Sequence, residues 1–591
     1  MPSARSWKTK ILAWVLVLVW LGCPWAVRAD EPGPFTLRVL HVNDTHSHLE
    51  PTEMALLLGG EKVLVRDGGY PALIARVKAV RGQERGPLLL LHAGDAVQGT
   101  LYYSKYLGQA DMALLNLLGI EAMAVGNHEF DLGPGQLARL VDLAAFPLLS
   151  ANVDATREPA LVGKIKPAII REIQGQKVGI LGLTTTLTPG ISSPGPNVSF
   201  EDQVAAADRA VKALTSQGVD KIIALTHLGY DQDLELASRV PGLDLVVGGH
   251  SHTRLDGFEA QGLAGDGPYP TKISGADGQT VCVVQAWEWG KILGDVTVTF
   301  DAKGQVTDCV GRPVMLLSGE YRAGELRAED PAGAKKVLAG QRLAGVERAV
   351  AASPNLVRVQ EDPEALALLA PYRQGLEQFR RQTVALAEED LTREKELAGR
   401  TRQHPVKPEE IRGVGALTAE AMLWKMNHMG LGVAMAFHNR GGCRIDIPRG
   451  NVTMAQINEL LPFGNTLFLA TLKGVDIRQI LAQGLAGGRA ELLCLAGIRV
   501  RTEAAGASGF VLVSAEVRQE ETWVPLDDPA EYRVVLNSYL ARGGDGYALF
   551  KERGVSLTDT GFGDVEAFAE YATARKRLAI STDPAFLPPL R

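Results

Sequence analysis

The feature that most constrains this chain is a junction repeated between residues 37 and 252. A short apolar run closes on a loop that carries Asp, His or Asn. Residues 37–42 lead into Asn43-Asp44-Thr45-His46, and residues 88–91 lead into His92-Ala93-Gly94-Asp95. Residues 122–125 lead into Gly126-Asn127-His128-Glu129-Phe130-Asp131. Residues 222–225 lead into Thr226-His227, and residues 243–247 into Gly248-Gly249-His250-Ser251-His252. Further short runs stand at 148–151 and 178–183. Between them, 71–80, 110–118 and 137–144 carry apolar residues at helical spacing. Strands followed repeatedly by helices predict an α/β domain. In such domains ligand sites gather at strand carboxyl ends, so loops about two hundred residues apart can converge.

The residue types at these junctions fit divalent cations. Oxygen and imidazole donors without thiolate suit Zn²⁺, Mn²⁺, Fe or similar ions. Two such ions need a shared anionic bridge, and Asp95 is the natural candidate. A water between them becomes acidic enough to serve as a nucleophile near neutral pH. The glycines beside Asp95, Asn127 and His250 permit tight turns and close backbone approach. One Asp or His alone would more often be structural; five junctions of this kind in one order call for a shared site.

The length of 591 residues exceeds what one core supports, so two or more domains are expected. No basic tract interleaved with aromatics occurs, which argues against a nucleic-acid polymer as partner. Arg5, Lys8 and Lys10 precede an apolar run over 11–21, the pattern of a signal peptide over 1–29. Val27-Arg28-Ala29 offers small residues for cleavage before Asp30; the alternative is lipidation at Cys23. Either fate predicts a periplasmic or extracellular protein, with no integral membrane span in the mature chain. Cleavage removes four positive charges, Arg5, Lys8, Lys10 and Arg28, and moves the formal charge from −7 to −11. Cys282, Cys309, Cys443 and Cys494 then remain, free to pair in three ways or to stay buried thiols.

Residues 318–361 are rich in Ala, Gly, Arg and Glu and read as an insertion or connector. Asp362-Pro363 then starts a helix with Leu366, Leu369, Tyr372, Leu376 and Phe379 as its apolar stripe. Residues 386–591 form a second α/β or α+β unit, with strands near 509–513 and 533–536.

The five junctions resemble the sequence blocks of the calcineurin-like metallophosphoesterases. Asn43-Asp44-Thr45-His46, Gly94-Asp95-Ala96-Val97-Gln98-Gly99, Gly126 to Asp131 and Ser150-Ala151-Asn152 resemble in particular the secreted and periplasmic 5′-nucleotidases. That resemblance implies an α/β (α+β) architecture in three parts. They are a four-layer αββα metallophosphoesterase sandwich over 35–317, an insertion and linker helix over 318–385, and an α/β substrate-binding domain over 386–591. It also implies two divalent metal ions. Asp44, His46, Asp95 and His252 match ligands of one; Asp95, Asn127, His227 and His250 match ligands of the other. His252 departs from the 5′-nucleotidases, where an amide often stands. His128 and Asp131 match the catalytic pair.

In the second unit, Asn439-Arg440-Gly441-Gly442-Cys443-Arg444 resembles the family's Asn-x-Gly-Gly-x-Arg block. Leu461-Pro462-Phe463-Gly464-Asn465 and the run from Asn537 to Tyr547 match two more. The resemblance implies Phe463 and Tyr539 stacked on a nucleobase, Asp545 helping to fix the nucleoside, Arg444 on phosphate, and Asn439 as a further substrate-binding residue. One departure lies at 409–417, where Glu410 falls at an expected Arg and Ala416 at an expected Asn. The implied activity is release of phosphate from nucleoside 5′-monophosphates. The alternatives are nucleotide-sugar pyrophosphates, 2′,3′-cyclic nucleotides or a thiosulfohydrolase-type substrate.

Overall fold

Alternation along the first-domain strands sends successive side chains to opposite faces, and both faces are buried. On Phe35–Val42, Leu37 and Val39 enter one apolar cluster, while Leu40 and Val42 enter another. Leu89 and Leu91 divide from Leu90 in the same way. On a second sheet, Val178 and Ile180 face inward and Leu181 and Leu183 outward. The shared inner cluster joins two sheets, and each outer face is covered by helices. The result is four layers. Helices Tyr70–Gln83, Gln109–Leu118 and Gly133–Leu143 cover the first sheet; Gln203–Thr215 and Tyr230–Arg239 cover the second.

The computed structural model describes residues 34–324, 337–393, 413–486, 493–505, 509–552, 556–580 and 585–587. The leader, Cys23 and residues 409–412 lie outside the described residues. In the first sheet, Phe35–Val42 pairs in parallel with Leu88–His92, which continues in parallel through Ala122–Ala124 to Leu148–Leu149. In the second sheet, Gln176–Thr184, Ile222–His227, Leu245–Val247 and Thr280–Val284 are parallel neighbours. Parallel order places the loops after Val42, His92, Ala124, His227 and Val247 at one edge of the sandwich.

The two sheets approach closely at Gly182. A Cβ there would lie 2.3 Å from the Leu149 carbonyl carbon and 2.4 Å from its oxygen. Gly182→Ala is expected to lower stability by about 1–3 kcal/mol through overpacking, read as a lower midpoint in denaturant unfolding. An unchanged midpoint would show that the sheets separate there without cost.

Residues 318–361, whose composition reads as a connector, are packed where described. Strand Val306–Ala323 continues the first sheet, and Leu356–Arg358 pairs with it in parallel. Helix Gly340–Ala352 lies beside them. A sparse apolar set, Tyr321, Leu338, Val346, Val350 and Leu356, suffices to bury the stretch against Leu56, Leu58 and Val63. The four cysteines Cys282, Cys309, Cys443 and Cys494 are all buried thiols.

Asp362 caps helix Pro363–Arg380 by accepting from the Ala365 amide at 2.9 Å. Lys78 of the first domain binds the same cap at 2.9 Å and Glu364 at 2.8 Å. The helix buries Ala365, Leu369 and Leu376 in an apolar cluster that continues into Val414, Leu417 and Phe568 of the second domain. The second domain centres on a five-stranded sheet, ordered Leu493–Ala496, Met435–Asn439, Glu531–Asn537, Thr466–Lys473 and Leu557–Gly563. Helices Val414–His428 and Asp564–Arg575 pack together beside it. Among the described residues, no helix is long and apolar enough to cross a membrane.

Candidate dimetal centre

The loops at the carboxyl edge are locked to one another by their backbones. The Asp44 amide donates to Gly94 O at 3.0 Å, His46 to Asp95 O at 3.1 Å and Ser47 to Ala96 O at 3.0 Å. Asn43 bridges to a distant loop, accepting from Ala286 N at 2.7 Å and donating to Trp287 O at 2.6 Å. Glu129 is buried and accepts from the amides of Gly126, Asp95 and Ala96 at 2.7, 3.1 and 2.9 Å. One carboxylate thereby ties two strand-end loops together.

Five of the seven side chains singled out as ligands sit on left-handed backbone: Asp44, His46, Asp95, His250 and His252. Such conformations cost on the order of 1 kcal/mol or more for a non-glycine residue and persist where the surroundings enforce them. Here the loop-to-loop hydrogen bonds do so, and the left-handed turns aim the side chains at a common point.

Within that point the ligand atoms form overlapping groups: Asp44 with His46 and His252; His46 with Asp95 and His128; Asp95 with His227 and His250. In each group the atoms lie within 4.8 Å of one another. His46 Nε2 stands 3.0 Å from His252 Nε2, and His252 Nε2 stands 3.6 Å from Asp44 Oδ1. His227 Nε2 lies 2.9 Å from Asp95 Oδ2 and 3.2 Å from Asn127 Oδ1. The His250 amide donates to both Asp44 oxygens, at 3.1 and 3.0 Å. His227 Nδ1 bonds Ala93 O at 2.8 Å, which leaves Nε2 as the nitrogen facing the centre.

Charges are unevenly held. Burial works against ionised Asp95, yet the facing His227 and His128 keep its carboxyl well below the usual range. Burial lowers His227, and Asp95 outweighs it and lifts the ring to about 9. His250 is pressed down to about 3 by burial and by His227. A buried convergence of two carboxylates, an amide oxygen and imidazole nitrogens, with two ring nitrogens opposed at 3.0 Å, is the donor chemistry that divalent cations satisfy. Asp44, His46, Asp95 and His252 could hold one cation, and Asp95, Asn127, His227 and His250 a second.

His128 lies at the edge of this cluster. Its Nδ1 bonds Asp131 Oδ2 at 2.6 Å, and Asp131 Oδ1 accepts from Ser192 Oγ at 2.7 Å. Its Nε2 is 4.0 Å from Asp95 Oδ2. Burial opposes the charged ring, but Asp131 and Asp95 lift it to about 10.

Glu288 has no place among the motifs read from sequence. Its Oε2 is 3.1 Å from His252 Nδ1, and its Oε1 accepts from Lys291 Nζ at 2.9 Å. Lys291 lies over the rings of Trp287 and Trp289, at 4.3 and 4.0 Å. A carboxylate between two tryptophans, with a lysine three residues on and a buried strand ending four residues before, was the available signal. Ser192 carries no sequence signal.

In the second domain the residues group in two pairs. The Arg444 guanidinium lies 5.7 Å from the Phe463 ring, and Tyr539 Oη donates to Asp545 Oδ1 at 2.8 Å. Asn439 sits deeper, accepting from Asn537 Nδ2 at 2.6 Å.

Two family models match the chain. One, described as calcineurin-like phosphoesterase, covers residues 37–254; the other, described as 5′-nucleotidase, C-terminal domain, covers 387–552. A probable 5′-nucleotidase of Treponema pallidum is 34% identical over 576 residues, spanning 94% of each chain. The structure of the Haemophilus influenzae NAD nucleotidase is similar with a TM-score of 0.83 and 31% identity, over 94% of this chain and 100% of the other. A 5′-nucleotidase precursor from Thermus thermophilus is similar with a TM-score of 0.56 and 38% identity, over 94% and 100%.

Proposed function

The chain belongs to the 5′-nucleotidase family of calcineurin-like phosphoesterases and is a phosphoester hydrolase, and from that premise we propose that it is an exported enzyme releasing phosphate from nucleoside 5′-monophosphates. The observation that carries this reading is the convergence of seven N/O donors from five loops beside a hydrogen-bonded His128–Asp131 pair. Two divalent cations held there would supply Lewis-acid polarisation of the phosphoryl group and of an attacking water. Asp95 joins the two halves of the donor set. Asp131 holds the proton on His128 Nδ1 and favours the cationic ring. His128 Nε2–H is then the donor toward the phosphoryl oxygens or the leaving alkoxide. Ser192 keeps Asp131 from turning away. The Arg444–Phe463 and Tyr539–Asp545 pairs offer a planar cation for phosphate, two ring faces for a base and a carboxylate for ribose hydroxyls.

Export is supported by the basic and apolar N-terminal pattern, with cleavage before Asp30 or lipidation at Cys23 as its two routes. Glu288 orients His252, so Glu288→Gln is expected to weaken divalent-cation affinity about 10- to 100-fold. Competition against a chromogenic chelator measures this, and unchanged affinity would remove Glu288 from that role. The activity itself is tested by product analysis with Mn²⁺ or Zn²⁺ added: free phosphate from AMP, and monophosphate products from NAD, a nucleotide sugar and a 2′,3′-cyclic nucleotide. AMP is expected to lead. A folded, metal-loaded protein that releases no phosphate from AMP would end the proposal.

A further inference from the structure

The two sheets of the first domain meet at a pair of cysteines. Cys282 lies on strand Thr280–Val284 of the second sheet, and Cys309 on strand Val306–Ala323 of the first. Both side chains enter the apolar cluster that the two sheets share, and they are 0% and 1% exposed. The Cys309 thiol is hydrogen-bonded with Cys282. Cα atoms of the two strands come within 8 Å of each other. Cys443 and Cys494 belong to the second domain, in other clusters.

Contacts on either side of the pair hold the strands at this spacing. Lys272 stands opposite Cys282 in the antiparallel register, and its Nζ donates to Oδ1 of Asp308, the neighbour of Cys309, at 3.3 Å. Tyr269 Oη bonds His41 Nε2 of the first sheet at 2.8 Å. The same tyrosine lies against Gly311, where a built Cβ would stand 3.2 Å from its Cε1. An ion pair before Cys309 and a ring after it thus fix the approach of the two sheets.

With the export reading above as premise, we propose that Cys282 and Cys309 are oxidised to a disulfide that staples the two sheets together. The oxidation is two exchanges with a disulfide-bearing thiol oxidase of the export compartment. One cysteine thiolate attacks the oxidase disulfide, and one oxidase sulfur leaves as thiolate. The other cysteine attacks the mixed disulfide and releases the second oxidase sulfur. The cysteines lose two protons and two electrons, and the oxidase ends as a dithiol. In the closed sandwich the hydrogen bond with Cys282, and then burial, push the Cys309 thiol up from its usual value, so thiolate is scarce there. The exchange therefore belongs to folding, before the sheets close.

The staple bears on the dimetal centre because the two sheets supply separate halves of it. Asp44, His46, Asp95 and Asn127 sit at strand ends of the first sheet; His227, His250 and His252 sit at strand ends of the second. Glu288, which bonds His252, follows the Cys282 strand by four residues. A covalent link across the shared core fixes the spacing of the two donor groups, and it stabilises mainly by restricting the unfolded chain.

The test is a peptide map of the full-length chain, expressed with its leader and recovered from the export compartment, its free thiols alkylated in denaturant at lysis. Cys282 and Cys309 are expected in one cross-linked peptide pair that separates on reduction. Recovery of both as alkylated cysteines, or of either joined to Cys443 or Cys494, would overturn the staple. Should the chain not be exported, the export reading fails by itself. The purified protein is then refolded in a glutathione redox buffer, where the same cross-linked pair supports the staple and two alkylated cysteines overturn it. Reductant during thermal unfolding is expected to lower the midpoint of the metal-loaded parent by on the order of 5 °C more than that of the Cys282→Ala, Cys309→Ala double variant. Equal shifts in the two proteins would mean that the bond holds nothing together, which also ends the proposal.

Discussion

Asp95→Asn is expected to lower kcat/KM on the order of 10⁴-fold, the largest loss from any single change at the centre. The reason is geometric. Asp95 Oδ2 lies 2.9 Å from His227 Nε2, 3.9 Å from His46 Nε2 and 4.0 Å from His128 Nε2. Its Oδ1 accepts from the His128 amide at 3.0 Å. Asp95 thereby touches both halves of the donor set and the loop that carries His128. Asparagine keeps the shape and removes the charge, so two cations would face each other across a neutral group. Bound metal, counted by mass spectrometry of the purified variant, should fall by at least one equivalent. Circular dichroism should be unchanged, since Glu129 still ties the loops together. Two equivalents held at parental affinity would refute the bridging role.

His128→Gln is expected to lower kcat by about 10²- to 10⁴-fold, with KM and metal content nearly unchanged. The imidazole Nε2 stands 4.0 Å from Asp95 Oδ2, beyond hydrogen-bond distance, so its removal leaves the seven proposed ligands in place. The sign of the pH dependence follows from the ring's environment. Burial opposes the cation, and Asp131 with Asp95 raises its pKa to about 10. The donor form is present below that value and is lost as pH rises through it. Asp131→Asn removes the main upward influence and moves the alkaline limb of the kcat profile to lower pH. Its deficit should therefore be larger above neutrality than below. A parallel drop at all pH values would mean that Asp131 only positions the ring, and a loss of metal in His128→Gln would make the residue a ligand instead.

The residues that converge at the candidate centre, and the hydrogen-bonded His128–Asp131 pair, could be picked out in the sequence because their signals are local. Each ligand follows an apolar run by a few residues, and His128 and Asp131 stand three apart on one turn. The α/β architecture was legible for a related reason. Strands buried on both faces leave continuous runs such as 88–91 and 222–225, bounded by polar turns. The packing of the described part of 318–361 was not legible, because it rests on a few scattered apolar residues, too few to make a periodic pattern. Glu288 and Ser192 act across separations of 36 and 61 residues, and no spacing rule reaches that far.

The sequence by itself determined which chemistry this protein can hold. Donor types, their order and their placement at strand ends follow from local patterning, which depends only on neighbours along the chain. The tertiary structure alone decided which donors meet, which are pinned on left-handed backbone, and that Cys282 of one sheet faces Cys309 of the other. Those outcomes depend on loop-to-loop hydrogen bonds and on packing between distant segments, which arise only once the two sheets and the linker helix have closed.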